Sequence, residues 1–171
     1  MLGRCGEKAE KIQDSAAFIT IHGQDLIKPD GTKLFIMGTN LGNWLNPEGY
    51  MFKFSKTNSP RFINEMFCQL VGPDFTAEFW KAFKDNYITR EDIQFIKNTG
   101  ANTIRLPFHY KLFTDEDFMG LTAGQDGFAR VDSVVEWCRE ADLYLILDMH
   151  DAPGGQTGDN IDDSYGYPWL F

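Results

Sequence analysis

Few cysteines, little positive charge and no long apolar run mark this sequence, and each absence excludes something. The three cysteines, Cys5, Cys68 and Cys138, are odd in number and form no CxxC pair. Neither a disulfide framework nor a zinc site is indicated. The formal net charge of −9 argues against nucleic acid or an anionic membrane as partner, because both need basic patches. No stretch approaches the roughly 18 apolar residues that a membrane-spanning helix requires. Residues 1–17 lack the apolar core of a signal peptide and are expected to form a flexible N-terminal segment. No GxGxxG and no GK[ST] follows the first candidate strand, where the turn reads GTNLGNW. A phosphate-cradling nucleotide fold is therefore disfavoured.

What remains is the composition of a globular domain. Of 171 residues, 43% are apolar and 24% charged, enough to bury one core. Aromatic residues make up 15%, with 15 Phe and 4 Trp. Most of these rings belong in a core; some suit the flat apolar face of a sugar cleft. An acidic surface fits a neutral or a cationic small ligand equally well.

The order of elements is read from periodicity and punctuation. Apolar runs at Phe18–Ile21 and Leu34–Met37 flank the turn signal Pro29-Asp30-Gly31, which predicts a β-hairpin whose second arm leads into the main sheet. A long irregular segment, 40–72, follows, with a possible helix near 60–70. Loops of this length in compact domains are usually functional. Phe75, Phe79 and Phe83 recur at helical spacing beside Trp80. A short helix starts at the N-cap Thr89, with Glu91 and Asp92 at its positive end, and stops at Gly100. NTIRLPFHY reads as a strand, 111–127 as a loop, and Val131, Val134, Val135 and Cys138 as the buried stripe of another helix. LYLILDMH is apolar almost throughout, as in parallel strands covered on both faces.

The candidate strands, about 34–39, 102–108 and 143–149, thus alternate with helices. Long loops follow the strands and short returns precede them. That asymmetry builds the catalytic face of a (β/α)₈ TIM barrel. Such a barrel needs eight strands and about 250 residues. The expectation is the N-terminal part of one, with residues 18–171 an incomplete catalytic domain. The apolar end Tyr167-Pro168-Trp169-Leu170-Phe171 adds the expectation that the chain belongs to a longer protein.

Arg105 stands in the middle of an apolar strand, where an unpaired charge is costly. It is either a structural ion pair or an arginine that orients a catalytic carboxylate. His150 ends the third strand, where a barrel places site residues. His109, four residues beyond Arg105, would share its face on a regular strand. Asp151, Asp159 and Asn160 lie among the glycines of HDAPGGQTGDN. With Asp162 and Asp163 they suggest either a divalent-metal loop or a set of sugar-hydroxyl partners. Glu48 offers a further carboxylate and Trp44 a stacking face, or simply a core ring.

GTNLGNWLNPEGY, NTIRLPFHY and LYLILDMHDAPGGQTGDN together resemble the first three strand-loop units of glycoside hydrolase family 5. This is the cellulase-type family of retaining β-glycosidases. The loop after His150 is most similar to the branch of exo-β-1,3-glucanases and related endoglucanases. The likeness runs from about Phe18 to the end, and the HxAPGxQ pattern is its most specific part. It implies that Arg105 holds the nucleophilic carboxylate and that His150 sits beside the sugar at the cleavage point. It implies that Glu48, Asp159 and Asn160 bind that sugar's hydroxyls. Asp151 stands where relatives often carry a small residue.

The resemblance also implies an acid/base glutamate in an Asn-Glu pair after strand four and a nucleophile after strand seven. Asn64-Glu65 lies far too early to serve. A chain without the two glutamates is expected to be inactive alone. The expected substrate is a β-linked oligo- or polysaccharide, with no cofactor and no metal. A secreted, periplasmic or cell-surface setting is expected for a full-length protein. Two other readings stay open: a non-catalytic carbohydrate-binding barrel, and a metal-dependent hydrolase using His150 with Asp148 or Asp159.

Overall fold

The computed structural model describes residues 18–120, 124–155 and Asp163. The chain divides into two compact units, with the boundary between Ile36 and Met37. In the N-terminal unit, strands β1 (Thr20–His22) and β2 (Asp25–Ile27) form an antiparallel hairpin with Thr20 opposite Ile27. Its two-residue turn is Gly23-Gln24, and Gly23 takes the left-handed conformation that such turns need (φ 64°).

This corrects the expected pairing. Pro29-Asp30-Gly31 does turn, with Gly31 N–H donating to the Lys28 carbonyl at 2.9 Å. It closes only an isolated bridge between Ile27 and Lys33. Leu34–Met37 is not a strand.

The larger unit holds a parallel sheet in the order β3 (Gly38–Asn40), β4 (Thr103–His109), β5 (Tyr144–Asp151). Between β3 and β4 run three helices: α1 (Pro60–Val71), α2 (Pro73–Asn86) and α3 (Arg90–Asn98). A short 3-10 helix (Tyr110–Phe113) and α4 (Gly124–Glu140) lead from β4 to β5.

The helix limits follow from local chemistry. Ser59 caps α1 and Pro60 occupies its first turn, where a missing N–H costs nothing. Gly72, at φ 85°, separates α1 from α2 in a single residue. The Asp92 carboxylate accepts from both the N–H and the hydroxyl of Thr89, which closes the first turn of α3.

Alternation along β4 sorts the sheet into two sides. Ile104, Leu106 and Phe108 enter the core with Ile63, Trp80, Ile93, Val134 and Cys138. Burial pushes the Cys138 thiol up to about 11, which suits an inert packing residue. Arg105 and Pro107 point to the other side. The rings divide, against the expectation that most of them are core: Phe52, Phe67 and Phe83 pack within 6.2 Å, centroid to centroid, of the buried Trp80, whereas Phe18, Phe35, Phe62, Phe75, Phe95 and Phe128 are exposed.

Two further expectations are corrected. In α4, Val131, Val134 and Cys138 face inward, but Val135 is exposed, and the helix begins at Gly124 inside the expected loop. LYLILDMH is not buried on both faces: Leu147 is 51% and Met149 52% exposed. Among the described residues no strand pairs with the outer edge of β5 and no helix follows to cover it. No helix among these residues is long and apolar enough to cross a membrane.

Candidate active site

The connections after the strands are long, residues 41–59 and 110–123; the returns before them are short, residues 99–102 and 141–143. The long connections gather at the C-terminal strand ends. There a cleft of about 340 Å³ is lined by Asn40, Glu48, Tyr50, Met51, Arg105 and His150.

Arg105 is placed by register: it pairs with Asn40 on β3 and with Ile146 on β5. Its guanidinium donates to Asp148 Oδ2 at 2.5 Å and reaches Asn40 Oδ1 at 3.5 Å. His150 Nδ1 lies 3.1 Å from the same Asp148 oxygen and 3.2 Å from the guanidinium. The mid-strand charge is thus compensated within the sheet by a carboxylate two strand positions from His150. Opposite stands the wall formed by Glu48, Tyr50 and Met51. The Glu48 N–H donates to Asn43 Oδ1 at 2.9 Å, which fixes the turn there. Tyr50 is 62% exposed and lines the cleft. Its hydroxyl pKa is raised by partial burial and by the neighbouring Glu48 carboxylate.

The structure therefore brings Arg105, His150 and Glu48 together. Trp44 and His109 are elsewhere. Trp44 is 1% exposed, with its indole N–H bonded to the Lys84 carbonyl at 2.9 Å, and it offers no face to a ligand. Its neighbours Leu41 and Leu45 are buried in the same core, which decides for the core ring over the stacking face. His109 is fully buried between the rings of Tyr110 and Phe118, at 5.0 and 4.3 Å. The sheet register shifts between Phe108 and His109, so that His109 pairs with Asp151 and His150 becomes the extra residue on β5. Regular alternation, the basis for placing His109 beside Arg105, ends at that point. Asp159 and Asn160 lie outside the described residues.

Asn40 and Tyr50 were not singled out as ligands of the cleft, and Asp148 was named only as a metal partner of His150. Asn40 and the pairing of Asp148 with Arg105 become visible only once β3, β4 and β5 are aligned. Tyr50 carried a local signal, an aromatic ring between Gly49 and Met51 in a polar loop. Among the described residues, no group of three or more His, Cys, Asp or Glu side chains is arranged to hold a metal ion.

Comparison with known proteins gives this geometry a context. The chain is similar to a beta-xylosidase of Phanerodontia chrysosporium, with 32% identity over 143 residues, 84% of this chain and 29% of that one. It is similar to a glucan 1,3-beta-glucosidase of Kluyveromyces lactis, with 33% identity across 72% of this chain and 30% of the other. A probable glucan endo-1,6-beta-glucosidase B of Aspergillus flavus is 31% identical, across 81% and 36%. The chain thus spans about a third of the length of these relatives. Among solved structures, a rutinosidase from Aspergillus niger superposes with a TM-score of 0.62 at 23% identity, over 80% of this chain and 38% of that one. That likeness establishes the fold as part of a (β/α) barrel, here with an unclosed sheet. The model of one family, cellulase (glycosyl hydrolase family 5), matches residues 55–167, which includes Arg105, Asp148 and His150. By that match, the chain with its Arg105–Asp148–His150 cluster at the strand ends belongs to glycosyl hydrolase family 5.

Proposed function

We propose that the chain supplies the sugar-binding side of a retaining β-glycosidase that acts on a β-glucan-type polysaccharide. The observation that carries this reading is the polar cleft between Arg105, His150 and Asn40 on one side and Glu48 and Tyr50 on the other. Its size suits one sugar ring. Carboxylate, amide and imidazole groups can match ring hydroxyls, and the Tyr50 face can stack against the apolar side of the ring.

On this reading Arg105 orients a carboxylate, and His150 and Glu48 hold hydroxyl groups. Asp159 and Asn160 are assigned to the same sugar by resemblance. Asp148 lies within the third parallel strand and compensates Arg105 there, whereas the resemblance assigns both catalytic roles to glutamates on later strands. Retaining hydrolysis needs two carboxylates about 5 Å apart, one as acid/base and one as nucleophile. In the resembling family these glutamates follow the fourth and seventh strands. A polypeptide without those two glutamates is expected to bind sugar without cleaving it.

The test is a titration of the purified chain with laminaribiose and cellobiose, followed by NMR and calorimetry, alongside assays on an aryl β-glucoside and laminarin. Expected are chemical-shift changes at Glu48, Tyr50 and His150 and no hydrolysis. Glu48→Gln is expected to weaken binding about tenfold, the size of one hydrogen bond to a charged group. Hydrolysis by this chain, or sugar-induced shifts confined to other residues, would overturn the reading.

A further inference from the structure

A buried polar knot shares no residue with the lining of the cleft. Asp163 is at its centre, with a side chain only 5% exposed. Its Oδ1 accepts the Arg61 N–H at 2.8 Å, and its Oδ2 accepts from Lys111 Nζ at 2.9 Å. The same Oδ2 lies 3.4 Å from His109 Nε2. His109 Nδ1 accepts the Lys111 N–H at 3.1 Å, so the neutral ring carries its proton on Nε2. That proton faces Asp163 and Asp151, whose Oδ2 is 3.6 Å from Nε2. Burial opposes ionisation of Asp163, but His109 and Lys111 outweigh it and hold the carboxyl below its ordinary range.

We propose that Asp163 is a positioning residue for the wall of the cleft that carries Glu48 and Tyr50. The contacts connect it to that wall from both ends. Pro60 has no N–H, so Arg61 is the first residue of α1 with a donor to satisfy, and Asp163 supplies the acceptor together with a charge that suits the positive helix end. Directly before α1, the Asn58 carbonyl accepts the Gly49 N–H at 3.0 Å. Gly49 packs so closely that a Cβ there would sit 1.8 Å from the Thr57 oxygen. At the other end, the His109 N–H donates to the Leu45 carbonyl at 3.1 Å, and Asn46 Nδ2 donates to Asp151 Oδ1 at 3.3 Å. Glu48 thus hangs between one support tied to α1 and another tied to the ends of β4 and β5. Asp163 touches both supports. The sequence offered Asp163 as one of several acidic groups in a metal loop or a sugar-hydroxyl set; its contacts with Arg61, Lys111 and His109 give it a mechanical task instead.

This inference rests on the sugar-binding reading above, and the experiment separates the two. Asp163→Asn keeps the shape of the side chain and removes its charge. Amide exchange at Arg61 is expected to accelerate at least tenfold, and laminaribiose affinity to fall about fivefold. In the Glu48→Gln background that loss of affinity should disappear, because Asp163 acts through the position of Glu48. A merely structural role would give losses that add. Lys111→Gln is the second variant, serving if Asp163→Asn does not fold; it too should lower affinity. Unchanged affinity in a folded variant, or full additivity with Glu48→Gln, would sink the proposal while leaving the sugar reading intact. A wild-type chain that shows no laminaribiose binding would overturn both the sugar reading and this use of the anchor. Protection at Arg61 would still report the contact itself.

Discussion

At the residue scale, His109 couples the fold to pH. The groups around it are Asp151 on β5, Asp163, and Lys111, Tyr110 and Glu116 on the segment that follows β4. Burial pushes its imidazole below the ordinary value of 6.5, against the opposing pull of Asp163. A depressed histidine contributes stability that is fully present above the unfolded-state pKa and is lost as pH falls through the folded one. The depressed carboxyl of Asp163 acts in the same direction at lower pH, because its stability is present above its ordinary value of 3.8. Thermal midpoints should therefore decline as pH drops below about 6.5. His109→Gln should start from a lower midpoint and lose the upper part of that decline. A wild-type midpoint that rises between pH 7 and pH 5 would contradict this account.

At the scale of elements, much of the fold was legible because it rests on short-range chemistry. Thr89 with Asp92, Pro60 after Ser59, and the stripe at Val131, Val134 and Cys138 act within one or two helical turns. What was not legible depends on distant neighbours. Leu34–Met37 has the composition of a strand, but only Gly38–Asn40 meets β4 in register. His150 reached the cleft through its strand end, whereas the bulge that seats it also turns His109 into the knot. Trp44 and Tyr50 are both loop aromatics, and only packing decides which ring remains open.

Gly127 shows the same limit and yields a prediction. In an exposed helix interior, Gly→Ala stabilises by about 1 kcal/mol. A Cβ at Gly127 would lie 2.1 Å from the Leu112 carbonyl oxygen, in the backbone of the 3-10 helix against which α4 packs. Gly127→Ala should therefore destabilise, by the roughly 1–3 kcal/mol typical of overpacking, as read from urea unfolding. A gain in stability would show that α4 can shift away from that helix freely.

At the scale of the whole molecule, the burial pattern has a physical consequence. A strand edge with unpaired backbone groups is a template for pairing with another chain, and contiguous exposed apolar surface promotes association. β5 has such an edge among the described residues, and Leu147 and Met149 beside it are half exposed. On α1 and α2, Leu70, Val71 and Phe75 line an open groove with scarcely any polar surface. The net charge of −9 opposes association through long-range repulsion, but salt at physiological strength screens that repulsion beyond about 8 Å, and the contact term then dominates. The purified chain should therefore self-associate as its concentration rises, with more association at higher salt. Light scattering coupled to gel filtration measures this directly. Leu147→Lys places a charge beside the open edge, as natural edge strands do, and should shift the population toward monomer without lowering the thermal midpoint. A chain that stays monomeric at every salt concentration, or a Leu147→Lys variant that associates as readily as the parent, would place the sticky surface somewhere other than β5.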